Sequence, residues 1–318
     1  MKKVFSKFIV LSLALALLLA LLPAAFITAR AEGGRCGGGL TWTLENGVLS
    51  ISGTGNMYNY DYRNPSPWGT FGIFEINIGD GVTSIGNMAF ECCYDLESVK
   101  IPDSVTKIGD SAFAHCTYMT AATIGKGVKT IGKWAFLDCE CMTTLKLGSA
   151  VESIGYLAFC NCRALTGLKL PASLKTVGDW AFYRCEGLTS VTIPDGVTSI
   201  GDCAFYNCYN LTSVKIGRGV TRIGDCAFHY YDWENNNDYR KPLGVKFSVY
   251  KDSYAHKYAK SNGFKRKLLK EPETASGFMK VAVIAGPALL AAAAGVVLFA
   301  VLRKRKKRAA PAEETEEN

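Results

Sequence analysis

A glycine recurs every 23 residues, at Gly86, Gly109, Gly132, Gly155, Gly178, Gly201 and Gly224, with no slip. Isoleucine precedes each one from Ile85 to Ile223, except that Val177 stands before Gly178. Alanine follows three residues later, from Ala89 to Ala227. Phenylalanine follows four later, at Phe90, Phe113, Phe136, Phe159, Phe182, Phe205 and Phe228. A strict period of this length means that each copy is one small unit that cannot bury its apolar face alone. Stacking the copies buries those faces in one continuous core, which is a solenoid.

Written once, the unit is Leu-x-x-Val-x-Ile-Pro-x-x-Val-x-x-Ile-Gly-x-x-Ala-Phe-x-x-Cys-x-x, carried in full by Leu188 to Cys208. Val191-x-Ile193 alternates with period two and predicts a short strand. Pro102, Gly125, Gly148, Pro171, Pro194 and Gly217 end the strands, because proline has no ladder N–H and glycine takes turn angles. Val-x-x-Ile predicts a second extended piece, and the Ala-Phe part a tight helical turn on the far side. The expected fold is a repeat solenoid, mainly short parallel β-strands with tight helical turns. An amino-terminal β-hairpin cap and one carboxyl-terminal transmembrane helix complete it.

The pattern resembles the BspA-type leucine-rich repeats of bacterial and some protozoan surface proteins, over about Leu40 to Leu268. Ile-Gly-x-x-Ala-Phe-x-x-Cys in register carries the resemblance. The commoner leucine-rich repeat has Asn or Cys at its ninth position; here that place holds Ser104, Gly127, Ala150, Ser173, Gly196 and Gly219. No amide ladder can form there, so its role falls to backbone pairing or to the cysteine column. The resemblance implies a non-enzymatic binding module, the alternatives being a structural envelope spacer without a specific ligand or an accessory that holds polysaccharide through its aromatic loop. The binding module's expected partners are host matrix or cell-surface proteins, or the surface of another microbe.

The ends read as addresses. Residues 1–31 form a secretory signal: Lys2, Lys3 and Lys7, an apolar run from Phe8 to Ile27, and the small-x-small site Ala29-Arg30-Ala31. An uncleaved anchor is the alternative. Residues 281–302 carry no charge and are long enough to span a bilayer as a helix. The basic run Arg303 to Arg308 places 303–318 in the cytoplasm and the body outside. Glu271-Pro272-Glu273-Thr274-Ala275 also resembles a cell-wall sorting signal, departing from it at Glu271 and Ala275. These terminal segments hold most of the formal net charge of +8, so the basic balance argues for no nucleic-acid partner.

Between them, residues 32–78 are read as the amino-terminal cap and first strand. Gly33 to Gly39 is a flexible entry, and Leu40–Leu44 and Val48–Gly53 pair through an Asn46-Gly47 turn. Residues 79–249 are the solenoid. Residues 250–270 are a carboxyl-terminal cap, in which Ser253 to Ala259 resembles the family's closing turn. A charged stalk begins near Lys265 and continues through 271–280. After Phe228 the register breaks, and Val245-Lys246-Phe247 lies eight residues later than the period predicts, the insertion falling within His229 to Pro242.

Little in the chain points to catalysis, metal or cofactor. His115, His229 and His256 lie far apart, no phosphate loop follows a strand, and Asp202 and Asp225 read as caps or surface charges. Cys93, Cys116, Cys139, Cys162, Cys185 and Cys208 form one column. A single file does not converge on a metal, and parallel Cβ directions fit disulfides badly. The plain reading is a buried column of thiols; Cys203 and Cys226, one period apart, are the best candidate for a bridge. Candidate ligand contacts fall in three places. The aromatic insertion offers Tyr230, Tyr231, Trp233 and Tyr239. The outward strand columns offer Lys146, Lys169 and Lys215 beside a column of threonines from Thr120 to Thr212, with solvated sheet filling as the plain alternative. Tyr183, Tyr206 and Tyr209 on the turn side are a weaker third.

Overall fold

The computed structural model describes residues 32–70, 72–232 and 238–270. The chain divides into a unit ending at Leu269 and a second from Lys270 onward, of which only Lys270 is described. The segments expected to be a signal peptide (1–31), a sorting-like stretch and stalk (271–280), a transmembrane helix (281–302) and a cytoplasmic tail (303–318) fall outside the described residues. No helix among the described residues is long and apolar enough to cross a membrane.

Each repeat makes one coil of a parallel β-solenoid of about nine turns. The predicted Val-x-Ile strands stack into a sheet of 12 strands. It runs through Glu75–Ile78, Ser98–Lys100, Ala121–Thr123, Thr144–Lys146, Gly167–Lys169, Ser190–Ile193, Ser213–Ile216, Lys246–Tyr250 and Lys265–Leu269. The second extended pieces, such as Ser153–Ile154 and Ser199–Ile200, form an eight-stranded parallel sheet. Register follows the period: Leu168 faces Val191, and Val191 faces Val214.

The third side of the coil differs from its expected helical turn. Each coil closes it with overlapping tight turns, as in Ala158 N–H to Gly155 O at 3.3 Å, Cys160 N–H to Leu157 O at 3.2 Å and Cys162 N–H to Phe159 O at 3.4 Å. Two residues per coil sit in the left-handed region, Leu157 at φ 54 and Asn161 at φ 59 in this case. The same two places hold Met88, Ser111, Trp134, Trp180, Cys203 and Cys226, then Cys92, His115, Asp138, Arg184 and Asn207. Left-handed L-residues cost about 1 kcal/mol each, and a regular reward offsets it. Alternating the backbone hand aims every second N–H at the next coil. Leu157, Phe159 and Asn161 donate to the carbonyls of Asp179, Ala181 and Tyr183 at 3.0, 2.8 and 2.8 Å. An α-helical turn would have kept those bonds inside the coil.

The phenylalanines fill the core as one stack. Phe90 through Phe228 are all fully buried, with neighbouring ring centroids 5.1 to 5.4 Å apart. The recurring glycine is required by a close approach, not by a turn angle. A Cβ on Gly155 would lie 2.7 Å from the carbonyl carbon and oxygen of Gly132, and one on Gly178 equally near Gly155.

The caps close both ends. At the amino end the first half of the expected flexible entry, Gly33 to Gly39, lies instead in an edge strand, Glu32–Arg35, antiparallel to Leu40–Glu45; its glycines let Trp42 lie close against it. The hairpin turn is as predicted, with Asn46 at φ 49 and Gly47 at φ 76. Trp68 stacks on Phe90 at 5.5 Å, and its indole donates to Ala89 O at 2.9 Å. It thus supplies the donor that a preceding coil would have offered. At the carboxyl end the predicted closing turn is a helix, Tyr254–Ser261, capped by the Ser253 side chain. Phe247 and Tyr258 cover Phe228, and Phe264 packs in turn against both of them. Lys265–Leu269, expected to begin a stalk, is the last strand of the long sheet. The strand partner of Val214 is Phe247, two residues beyond the expected Val245, so the insertion is longer than the sequence count.

Candidate binding faces

The cysteine column explains how this repeat does without an amide ladder. Each thiol donates back to a phenylalanine carbonyl of the preceding coil: Cys116 to Phe90, Cys139 to Phe113, Cys162 to Phe136, Cys185 to Phe159 and Cys208 to Phe182, at 3.2 to 3.4 Å. No disulfide links any of the twelve cysteines, and the candidate pair Cys203 and Cys226 is not bridged. Burial pushes Cys93 and Cys160 up to about 12, and holds Cys116, Cys162 and Cys208 well above the ordinary value. Below the ordinary value of 9.0 these thiols are neutral folded or unfolded. Above it the unfolded chain releases their protons and the fold does not. Stability should therefore hold below about pH 9 and then fall by about 1.4 kcal/mol per pH unit for each such thiol. Urea titrations across pH 7 to 11, at about 25 °C, check this; a flat profile would refute it. Alkylation of the native protein should mark exposed Cys141 long before any column thiol.

Further ladders occupy groups that the sequence left open. Asp110, Asp179 and Asp202 each accept, through a carboxylate oxygen, the backbone N–H one period on, from Lys133, Asp202 and Asp225. Asp202 also pairs with Arg222 at 2.9 Å. These carboxylates are thus struts between coils. Ser104 and Ser173, at the departing ninth position, donate to Val82 and Val151 carbonyls. The threonine column is likewise engaged: Thr120, Thr143 and Thr212 hydroxyls donate to the carbonyls of Glu97, Thr120 and Thr189.

Between Thr144 and Ile216 the charged side chains on the outer face of the long sheet are lysines, with Thr192 standing between Lys169 and Lys215 in their column. Lys146, Lys169 and Lys215 are exposed, and register continues their column to Ser248 and Lys267. The adjoining column is floored by Thr144, Gly167, Ser190 and Ser213, then Lys246 and Lys265. Such short side chains leave the lysine stems standing above a flat surface. No ion pair among the described residues engages any of these lysines.

The aromatic insertion is a β-hairpin, His229–Asp232 against Asp238–Pro242, where a loop was expected. Tyr230 packs against the core and meets Tyr209 edge to face at 5.9 Å. Lys241 bonds Asp232 and lies 5.5 Å from the Tyr230 ring centroid, and the Asp232 bond is the main reason its ammonium is held strongly protonated. Tyr231 is tied by its N–H to Asn207 Oδ1 at 2.9 Å. Tyr239 lies on the second strand, and Trp233 falls outside the described residues. The hairpin adjoins the turn side, through Asn207 and Tyr209, while the lysines lie on the sheet. The structure therefore separates these two candidate groups.

Sequence reasoning noted Tyr183, Tyr206 and Tyr209 but passed over Trp134, Tyr156 and Trp180. Trp180 contacts Tyr183 at 5.1 Å and Tyr206 at 6.0 Å, and Trp134 contacts Tyr156 at 5.6 Å. The signal was present, since Trp134 and Trp180 share one repeat position two periods apart. No group of three metal-ligating side chains converges among the described residues.

The chain is similar to a leucine rich cell surface protein from Faecalibacterium prausnitzii, with 26% identity over 70% of this chain and 71% of that one and a TM-score of 0.45. It is also similar to a leucine rich repeat protein of T. pallidum, with 19% identity over 78% and 99% and a TM-score of 0.40. A third similarity is to the pneumococcal vaccine antigen PcpA, with 15% identity over 74% and 98% and a TM-score of 0.31. No curated protein matches the chain. Six copies of the BspA type leucine rich repeat region match residues 69–166 and 152–239. With more than half of its length matched and the coils in the expected register, the chain belongs to the BspA-type leucine-rich repeat family.

Proposed function

We propose that this chain is a non-enzymatic adhesion module, displayed on a bacterial surface by its carboxyl-terminal span, that holds a protein or glycan macromolecule of another surface. The observation that carries this reading is the unpaired lysine array on the flat outer sheet. A repeat face is a natural recognition surface because it is long, rigid and already ordered. Like charges kept unpaired on such a face cost solvation nothing while exposed, and attract an acidic partner at a distance. The cytoplasmic basic run beyond residue 302 and the signal at residues 1–31 support outside display of residues 32–270.

The test uses full-length protein on a panel of immobilised matrix proteins and acidic glycans. Saturable, salt-sensitive binding is expected, weakened at least about tenfold when Lys146, Lys169 and Lys215 are all changed to Glu. Absence of binding across the panel, or binding indifferent to the triple reversal, would sink the reading and favour an envelope spacer.

A further inference from the structure

The geometry points to a second binding site on the turn face: an aromatic platform, edged by a polar rail, for an extended, uncharged β-linked glycan. Trp180, Tyr183 and Tyr206 form one rigid group. The two tyrosine rings lie 6.0 Å apart and within 18° of parallel, and Trp180 meets both edge-on. Tyr206 is the buried floor of that group, while Trp180 and Tyr183 remain half-buried. Trp134 and Tyr156 form a second group toward the amino end, with Tyr156 38% exposed. Apolar rings that only filled the coil would be covered, as the phenylalanine stack is. These are held in fixed poses by one another and still meet solvent.

Spacing and edge chemistry name the occupant. Trp134 and Trp180 occupy the same repeat position two coils apart. The core rings between those coils are stepped by 5.2 and 5.4 Å, and an extended β-linked sugar chain advances by nearly the same amount per ring. Every second sugar of such a chain would present the same C–H face to an indole. One repeat position beyond Tyr183 and Tyr206 runs a column of planar polar groups. His115 Nδ1 lies 3.1 Å from Asp138 Oδ2, and Asn161 donates to Asp138 Oδ1 at 2.6 Å. Arg184 follows, 3.5 Å from Glu186, and Arg163 lies 3.8 Å from Glu140. Imidazole, carboxylate, amide and guanidinium in one line suit the paired hydroxyls on a sugar's rim. Each base of the rail lies against a carboxylate, so the rail offers no excess of positive charge to an anionic polymer. That separates this face from the lysine sheet, and the inference does not rest on the function proposed there.

Isothermal titration of the full-length protein with cellohexaose, chitohexaose and an acidic oligogalacturonate tests it. At least one neutral hexasaccharide should bind, and its disaccharide should bind far more weakly. Trp180→Ala and Trp134→Ala should each weaken binding about tenfold. Trp180→Phe should keep most of the affinity, and the Lys146, Lys169, Lys215 triple reversal should leave it unchanged. Equal thermal unfolding of Trp134→Ala and the parent protein establishes that loss of binding is not loss of fold. The inference is overturned if neither neutral hexasaccharide binds, if both tryptophan variants bind like the parent, or if the oligogalacturonate alone binds. Concentration-dependent self-association abolished by Trp180→Ala, without sugar binding, would assign the platform to a second copy and overturn it as well.

Discussion

Phe159→Ala should destabilise the fold by about 3–5 kcal/mol. The ring is fully buried and sandwiched between Phe136 and Phe182 at 5.2 and 5.4 Å. Its removal leaves a void that cannot collapse, because backbone ladders on every side fix the spacing of the coils. A solenoid couples only neighbours, so the loss falls on the two interfaces that the ring bridges. Urea unfolding should therefore show a lower midpoint and a smaller m-value, as the carboxyl-side and amino-side coils begin to melt separately. Phe159→Leu should keep one cooperative transition with a loss of about 1 kcal/mol. An alanine variant within about 1 kcal/mol of the parent would contradict the role given to the stack.

Gly155→Ala should cost about 3 kcal/mol or more, for the opposite reason. One methyl group would stand 2.7 Å from backbone atoms of Gly132. Those atoms belong to a neighbouring coil held by its own hydrogen bonds, including Gly155 N–H to Ile131 O at 2.9 Å, so neither side can yield. Gly167→Ala is the control. That glycine lies on the outer sheet with nothing within 4 Å of a built Cβ, and alanine there should be neutral or stabilising by about 0.5–1 kcal/mol. Comparable losses at both positions would show that glycine serves chain flexibility here, not contact between coils.

The period, the strand register and the core columns were legible because they are written in buried side chains. Val191, Ile193 and Phe205 repeat where the coil faces inward, and burial selects the same residue each time. The left-handed turn side was illegible because backbone bonds, not propensity, decide it. Met88, Trp134 and Leu157 take an angle that none of them prefers, and nothing in their identity announces it. His115, Asp138, Asn161 and Asn207 at the other left-handed place were the hints, being types that tolerate it better than most. The register after Phe228 was miscounted because Leu243 and Val245 are buried like strand residues while lying before the strand. The candidate faces were half legible. Lys146, Lys169 and Lys215 stood out by position, but the hydroxyl bonds that occupy the threonines needed coordinates. Trp134 and Trp180 were passed over because attention to what every copy shares hides what only alternate copies carry.

The alternate turn-side amides that leave their own coil, such as those of Leu157, Phe159 and Asn161, donate to backbone carbonyls on the carboxyl side, and this gives that backbone ladder a direction. One terminal coil presents carbonyls and needs donors, which Tyr60 N–H and the Trp68 indole supply at 2.9 Å; the opposite terminal coil presents N–H groups. The two ends are chemically unlike, so neither cap could serve at the other end, and two copies meeting amino end to amino end would set carbonyl against carbonyl. Whole units can be gained or lost only between the caps. A gene encoding such a chain can lengthen its reach by duplicating an internal segment of one period, with both ends and every surviving contact left as they were.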